Sequence, residues 1–196
     1  MCDFGSAKYL SGKEANTTYI CSRFYRAPEL LLGNDKYDTA VDVWSVGCVI
    51  AEMFLGEPFF HGKNTEEQVN KIAEVIGAPD DFDVKALVGL KKLSFEAIKP
   101  LTIKKKLAGK ASDLAIDLIT KILVYDPEKR IRPIDAMMHP FFDKIRHDKL
   151  VINGFETVDL FNFVPEEIEG YNQLVNKLTP PWYFDKDRPA SKPVRR

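Results

Sequence analysis

The chain has no excess of charge of either sign. Its 28 Lys and Arg stand against 29 Asp and Glu, a formal net charge of -1. That balance removes the electrostatic argument for nucleic acid or an anionic membrane as the main partner. Cysteine is scarce too: Cys2, Cys21 and Cys48 are odd in number and form no C-x-x-C pair. This argues against a disulfide framework or a structural zinc site and for a reducing compartment. The chain opens Met-Cys-Asp-Phe-Gly, without the basic and apolar regions of a secretory leader. Its most apolar run, Val41 to Leu55, is broken by Asp42, Ser45 and Glu52. That run is shorter than the roughly 20 residues a membrane span needs. His61, His139 and His147 show no ligand spacing, and none neighbours a candidate nucleophile. A hydrolase triad or metal site therefore has no support. Asn16-Thr17-Thr18 matches the glycosylation triplet, and without a leader that match is read as incidental. A soluble intracellular protein is expected.

What the sequence does contain is a globular composition, 45% hydrophobic over 196 residues, enough to bury a core. No internal repeat is visible. Residues 6 to 25 are polar and read as a long loop, a length usually tied to function. Ala40 to Leu55 is apolar on nearly every side and predicts a helix wrapped by others in the core, ended by Gly56 and Pro58. Thr65 with Gln68 forms a capping-box signature for a helix to about Ile76, closed by Gly77 and Pro79. Ser112 is placed to cap a helix whose inward stripe is Leu114, Leu118, Ile119, Ile122 and Leu123. Asp126-Pro127 breaks that helix, and Pro133 starts a short one through Met138, ended by His139-Pro140. Residues 147 to 164 look irregular, Pro165 to Leu178 predicts one more helix, and the tail from Pro180 reads as mobile. The basic, poorly patterned stretch Lys91 to Lys110 is expected to be a solvated surface insert. Trp44, Trp182, Met137 and Met138 read as packing residues. The fold class is mainly α.

Short motifs follow one another in a fixed order. Asp3-Phe4-Gly5 comes first, then Ala27-Pro28-Glu29 at the end of the polar loop and Asp42-Val43-Trp44-Ser45-Val46-Gly47 at the start of the apolar helix. Asp126-Pro127-Glu128-Lys129-Arg130 and His139-Pro140-Phe141-Phe142 complete the series. Together they resemble the C-terminal lobe of a eukaryotic protein kinase from its magnesium-binding loop onward, the parent fold being α+β with two lobes. Ser6-Ala7-Lys8, the run Tyr19 to Glu29 and Leu160-Phe161-Asn162-Phe163 are similar to the glycogen synthase kinase-3 (shaggy) family within the CMGC kinases. The likeness covers most of residues 2 to 165, fades over 91 to 110 and is absent from the tail.

The resemblance implies ATP-dependent phosphoryl transfer to Ser or Thr of proteins, with ATP and Mg²⁺ as cofactors. Asp3 would hold the metal, which prefers hard oxygen ligands. Phe4 would pack in the core to set its position, and Gly5 would permit the turn. Tyr19 sits where the family carries an activating phosphotyrosine, with Arg23 and Arg26 placed to neutralise its charge. Ser22 resembles the hydroxyl that helps position the catalytic base. Lys8 resembles one of three basic residues that hold a priming phosphate on the substrate. Glu29 and Arg130 resemble the buried ion pair tying the activation segment to the helical subdomain, and Asp42 the helix-start acid that anchors the catalytic loop.

The family's glycine-rich loop, strand lysine and H-R-D-x-x-x-x-N loop precede its D-F-G and are not in this sequence. The expectation is therefore a kinase-derived C-lobe fragment, inactive alone, with the N-lobe absent. Residues 1–143 would be the kinase-domain part, 144–179 an extension packed on the lobe and 180–196 a mobile tail. Helix Val41 to Phe54 would expose an apolar patch where upstream elements would pack. Expected partners are protein substrates, including pre-phosphorylated ones, and no nucleic acid or membrane. A non-catalytic module binding a scaffold is the alternative, although Glu66 and Asn70 stand where a scaffold groove would be apolar. The expected location is the cytoplasm, with the nucleus open as well.

Overall fold

The computed structural model describes residues 4–10, 15–87, 100–147, 151–152, 155–156, 160–180 and 183. It is mainly helical and divides into two compact units, Met1–Pro133 and Ile134–Arg196. No helix among the described residues is long and apolar enough to cross a membrane.

The first unit is organised on α2, Ala40–Leu55, which packs against α6, Asp113–Ile122. Gly47 makes the close approach possible, because a Cβ there would lie 2.4 Å from Ile122 Cγ2 and 2.9 Å from Leu123 Cδ2. Val41, Trp44, Cys48 and Ala51 line the inner face, and the Trp44 ring stacks on Phe60 at 5.8 Å. Val46, Val49 and Met53 are exposed, Met53 by 80%. α2 is thus not wrapped on all sides: the described residues cover one face and leave an apolar stripe open. Its left-handed C-cap is Gly56, at φ 86°.

α3, Thr65–Ile76, starts one residue earlier than its capping-box signature implies. Asn64 accepts the Glu67 N–H at 2.8 Å and is the N-cap, while the Glu67 carboxylate accepts the Lys63 N–H at 3.0 Å. Asn64 is extended and its short carboxamide reaches the N3 amide, which leaves Thr65 inside the first turn. Gln68 is drawn inward instead. α4, Asp81–Ala86, is a further short helix, capped by Asp80.

The segment leading to α5, Ile103–Lys106, supplies N–H donors to the end of α3: Leu101 to Glu74 O at 2.7 Å and Thr102 to Val75 O at 3.1 Å. This part of the basic stretch is not simply solvated. Ile103 and Leu107 are buried, and the Lys106 ammonium donates to Phe59 O at 2.6 Å above the Phe59 ring. Burial lowers the Lys106 pKa. Residues 91–99 of the predicted insert lie outside the described residues. In α6 the Ser112 cap accepts the Ala115 N–H at 3.2 Å. The inward stripe is Ala115, Leu118, Ile119 and Ile122, while Leu114 is exposed. One residue is a rotation of about 100° on a helix, so the geometry selects the small Ala115 and turns Leu114 outward. A 3-10 turn, Pro127–Lys129, follows the Asp126 break, and α1, Pro28–Leu31, closes the polar loop.

In the second unit, α7, Pro133–Met137, is followed by the 3-10 turn Pro140–Phe142 and α8, Asp143–His147. His139 caps that turn by accepting the Phe141 N–H at 3.2 Å. Arg146 gathers the carbonyls of Met137, Met138 and His139 and the Asp143 carboxylate. Met137 is exposed rather than packed. Strands β1, Val151–Ile152, and β2, Phe155–Glu156, pair antiparallel, Val151 opposite Glu156. The helix expected over 165–178 is two pieces, a 3-10 turn Pro165–Glu167 and α9, Asn172–Leu178. Gly170, at φ 79°, separates them with a backbone conformation that no helix continues through. Trp182 and residues 184–196 lie outside the described residues.

Candidate functional site

The site is built on the polar segment that runs from Phe4 to α1. Its start is a turn in which Ala7 N–H donates to Phe4 O at 2.9 Å. Phe4 is 68% exposed and Gly5 is exposed, so Phe4 does not pack in a core: among the described residues no apolar element lies over this turn. Asp3 lies outside the described residues. Lys8 donates to Asn16 Oδ1 at 2.7 Å, and Asn16 N–H donates to Asp35 O at 2.9 Å. The Tyr37 hydroxyl, its pKa raised by burial and by Asp42, donates to Thr17 O at 3.1 Å.

Tyr19 is 77% exposed, with the Arg26 guanidinium 4.6 Å from its ring centroid. Arg26 is itself buried and donates to the carbonyls of Ile20 and Cys21, each at 2.8 Å. Those two bonds brace Cys21, which holds φ 64°, a left-handed conformation that costs a non-glycine residue about 1–2 kcal/mol. Ser22 follows, exposed, its carbonyl accepting the Tyr25 N–H at 3.0 Å to open the 3-10 turn Arg23–Tyr25. Arg23 donates to the carbonyls of Lys63 and Gly62. Tyr25 turns back to α2: its hydroxyl donates to Glu52 at 2.7 Å, and Ser45 Oγ lies 2.9 Å from its carbonyl. The Glu52 bond, ahead of burial, raises the Tyr25 pKa.

Glu29 and Arg130 close the segment. Nη1 and Nη2 of Arg130 donate to the two Glu29 oxygens at 2.6 and 2.7 Å, with both side chains 1% exposed. The remaining N–H groups of Arg130 reach Ala40 O at 3.0 Å, Val124 O at 2.8 Å and Tyr125 O at 3.0 Å. All five guanidinium donors are thereby used, which is what makes so deep a charge tolerable. The guanidinium also lies 5.2 Å over Trp44, joining this pair to the core. Asp42 is exposed in the first turn of α2, a position the helix dipole favours, with no side-chain hydrogen bond among the described residues.

Residues 1–142 match the protein kinase domain family. The chain belongs to that family. It is 42% identical over 175 residues to glycogen synthase kinase 3 of Trypanosoma brucei brucei, which covers 88% of this chain and 50% of that protein. It is 43% identical over 190 residues to glycogen synthase kinase 1 of Pyricularia oryzae, covering 92% and 48%. The chain spans about half the length of the curated relatives it matches. It is a glycogen synthase kinase-3-like CMGC kinase sequence, and its helices are those of the mainly α C-terminal lobe.

In this kinase lobe the structure brings Tyr19, Ser22 and Arg26 into one bend and joins Glu29 to Arg130 across 101 positions of sequence. Lys8 sits apart, against Asn16, and Arg23 points to the loop before α3. Tyr19, Arg26 and Thr18 also border a cleft of about 460 Å³ with Leu30 and Thr65. Sequence reasoning missed Tyr25, Glu52, Ser45 and Gln68. A tyrosine or glutamine at an inward helix or turn position, with its polar end needing a partner, was the available signal. No group of three His, Cys, Asp or Glu among the described residues is placed to hold a metal. Cys48 is sealed in α2, where burial pushes its thiol pKa far up, while Cys21 is exposed.

Proposed function

We propose that this chain supplies the C-terminal lobe of a serine/threonine protein kinase of the glycogen synthase kinase-3 kind. The observation that carries this reading is the bidentate Glu29–Arg130 pair, which fixes the end of the Tyr19-bearing segment inside a chain that matches the kinase family. Kinases act mainly by positioning and charge stabilisation, so a segment fixed at its end by this pair suits that task. The Asp3 carboxylate would hold Mg²⁺, which when bound would supply positive charge to offset that of the ATP phosphates. Ser22, exposed at the start of the 3-10 turn, would help position the base.

Phosphorylation of Tyr19 would add about -1.5 to -2 charge beside Arg26. Among the described residues Arg23 bonds neutral carbonyls, and a phosphate would draw it away from them, since a charge-assisted bond is about twice as strong. Lys8, which donates to the neutral Asn16 amide oxygen, would offer its charge to a priming phosphate on the substrate. Its proposed place of action is the cytoplasm, and the nucleus as well.

The 196 residues carry no H-R-D-x-x-x-x-N and no glycine-rich loop, and alone they are proposed to transfer no phosphate. Purified chain incubated with ATP, Mg²⁺ and a Ser/Thr peptide should give no labelled product. A signal lost in Asp3→Asn would refute the inactivity. A complete kinase bearing this lobe should prefer primed over unprimed peptides, with the preference reduced in Lys8→Ala. Equal turnover of both peptides would defeat the priming role.

A further inference from the structure

Gln68 is the polar member of the buried face of α3, and it is fully buried. Its Oε1 accepts the Gly62 N–H at 2.7 Å, and its Nε2 donates to Phe60 O at 3.2 Å and to Phe24 O at 3.4 Å. One carboxamide thus joins the helix, the loop that enters it and the 3-10 turn of the Tyr19 segment, 44 positions away. The loop has no room to drift: a Cβ at Gly62 would lie 2.3 Å from the Gln68 backbone nitrogen. Two further contacts lie beside these bonds. The Phe24 ring meets His61 edge-on at 4.4 Å, and Arg23 donates to Gly62 and Lys63.

These contacts differ in what can displace them. The Arg23 guanidinium is part-exposed and charged, so an anion arriving at Tyr19 competes for it. The Gln68 carboxamide is neutral, does not titrate and lies out of reach of any anion. When Arg23 leaves, Gln68 still holds Phe24. We propose that Gln68 is a positioning residue: from inside α3 it fixes the turn Ser22–Arg26, and with it the Ser22 hydroxyl and the arginines that serve Tyr19. The catalytic consequence rests on the kinase reading above; the structural part does not.

Two arms test it separately. In the intact chain, hydrogen exchange is followed at the Tyr25 and Arg26 amides, which donate to Ser22 O and Arg23 O. Gln68→Asn withdraws the amide by one methylene, and Gln68→Met removes it while keeping the length. Each should speed exchange at those two amides about five- to tenfold. Val69→Ala, a buried neighbour on α3, should leave them protected when compared at equal distance from its unfolding midpoint. Unchanged exchange in whichever Gln68 variant folds, or equal acceleration in Val69→Ala, overturns the proposal. In the complete kinase, Gln68→Asn should lower kcat for peptide several-fold at unchanged KM for ATP. An unchanged kcat beside faster exchange overturns the catalytic half. Absence of kinase activity from the unsubstituted enzyme refutes the kinase reading instead, and the exchange arm still decides the role of Gln68.

Discussion

Arg26 and Arg130 are both buried guanidiniums on the same segment's supports, and they are used in opposite ways. Arg130 spends all five N–H groups and has its charge cancelled by Glu29. Arg26 donates to two neutral carbonyls and faces the Tyr19 ring, and among the described residues no carboxylate pairs with it. The first is a closed junction whose charge is satisfied by the fold. The second keeps a positive charge against the Tyr19 ring, under a bend that its own bonds maintain. A buried charge without a carboxylate is costly, and among the described residues two carbonyls and the Tyr19 ring face are what offset that cost.

The largest expected effect breaks the closed end. Glu29→Gln leaves Arg130 buried and unpaired and should cost about 3–5 kcal/mol in urea unfolding. Arg26→Met strands no opposite charge and should cost less, about 1–3 kcal/mol, by leaving the Ile20 and Cys21 carbonyls with fewer donors. Equal losses in the two variants would erase the distinction between them. The loop that receives Arg23 depends on the cap of α3. Asn64→Ala should therefore lower stability by about 1 kcal/mol, and Thr65→Ala, at an exposed first-turn position, by less than about 0.5 kcal/mol. The reverse order would return the N-cap to Thr65.

The smallest effect concerns the tie from the segment to α2. Glu52 raises the Tyr25 pKa in the folded chain, so the neutral phenol is favoured there. That contribution is complete below the unfolded value of about 10 and is lost as pH rises through the folded one. Tyr25→Phe should accordingly be less stable than the native chain at pH 8, with the gap in melting temperature closing above pH 10. A gap constant across that range would show that Tyr25 keeps no raised pKa.

Helix positions were largely legible because apolar spacing, Ser112, Gly56 and the prolines act locally. The destinies of single side chains were not. Thr65 and Asn64 are both good caps, and only the backbone extension at Asn64 decides between them. Leu114 and Ala115 compete for one inward place, settled by how α2 and α6 pack. Phe4, Asp42 and the outer stripe of α2 depend on what lies over them, which a local pattern does not specify. Isoleucine and leucine at 103 and 107, set among lysines, looked like a surface run until α3 and α5 packed together.

The sequence by itself determined the helical class and the order of motifs, since residue type and spacing carry those, and the family resemblance implied the pairing of Glu29 with Arg130. Tertiary structure alone decided that Arg130 uses all five donors, that Arg26 braces the Cys21 bend under Tyr19 and that Gln68 reaches Phe24. The Gln68–Phe24 and Arg130–Glu29 bonds join groups 44 and 101 positions apart, and the Arg26 bonds, only six and five positions long, depend on the bend at Cys21. Whether such a bond forms depends on distances set by the packed core, and no local pattern encodes those distances.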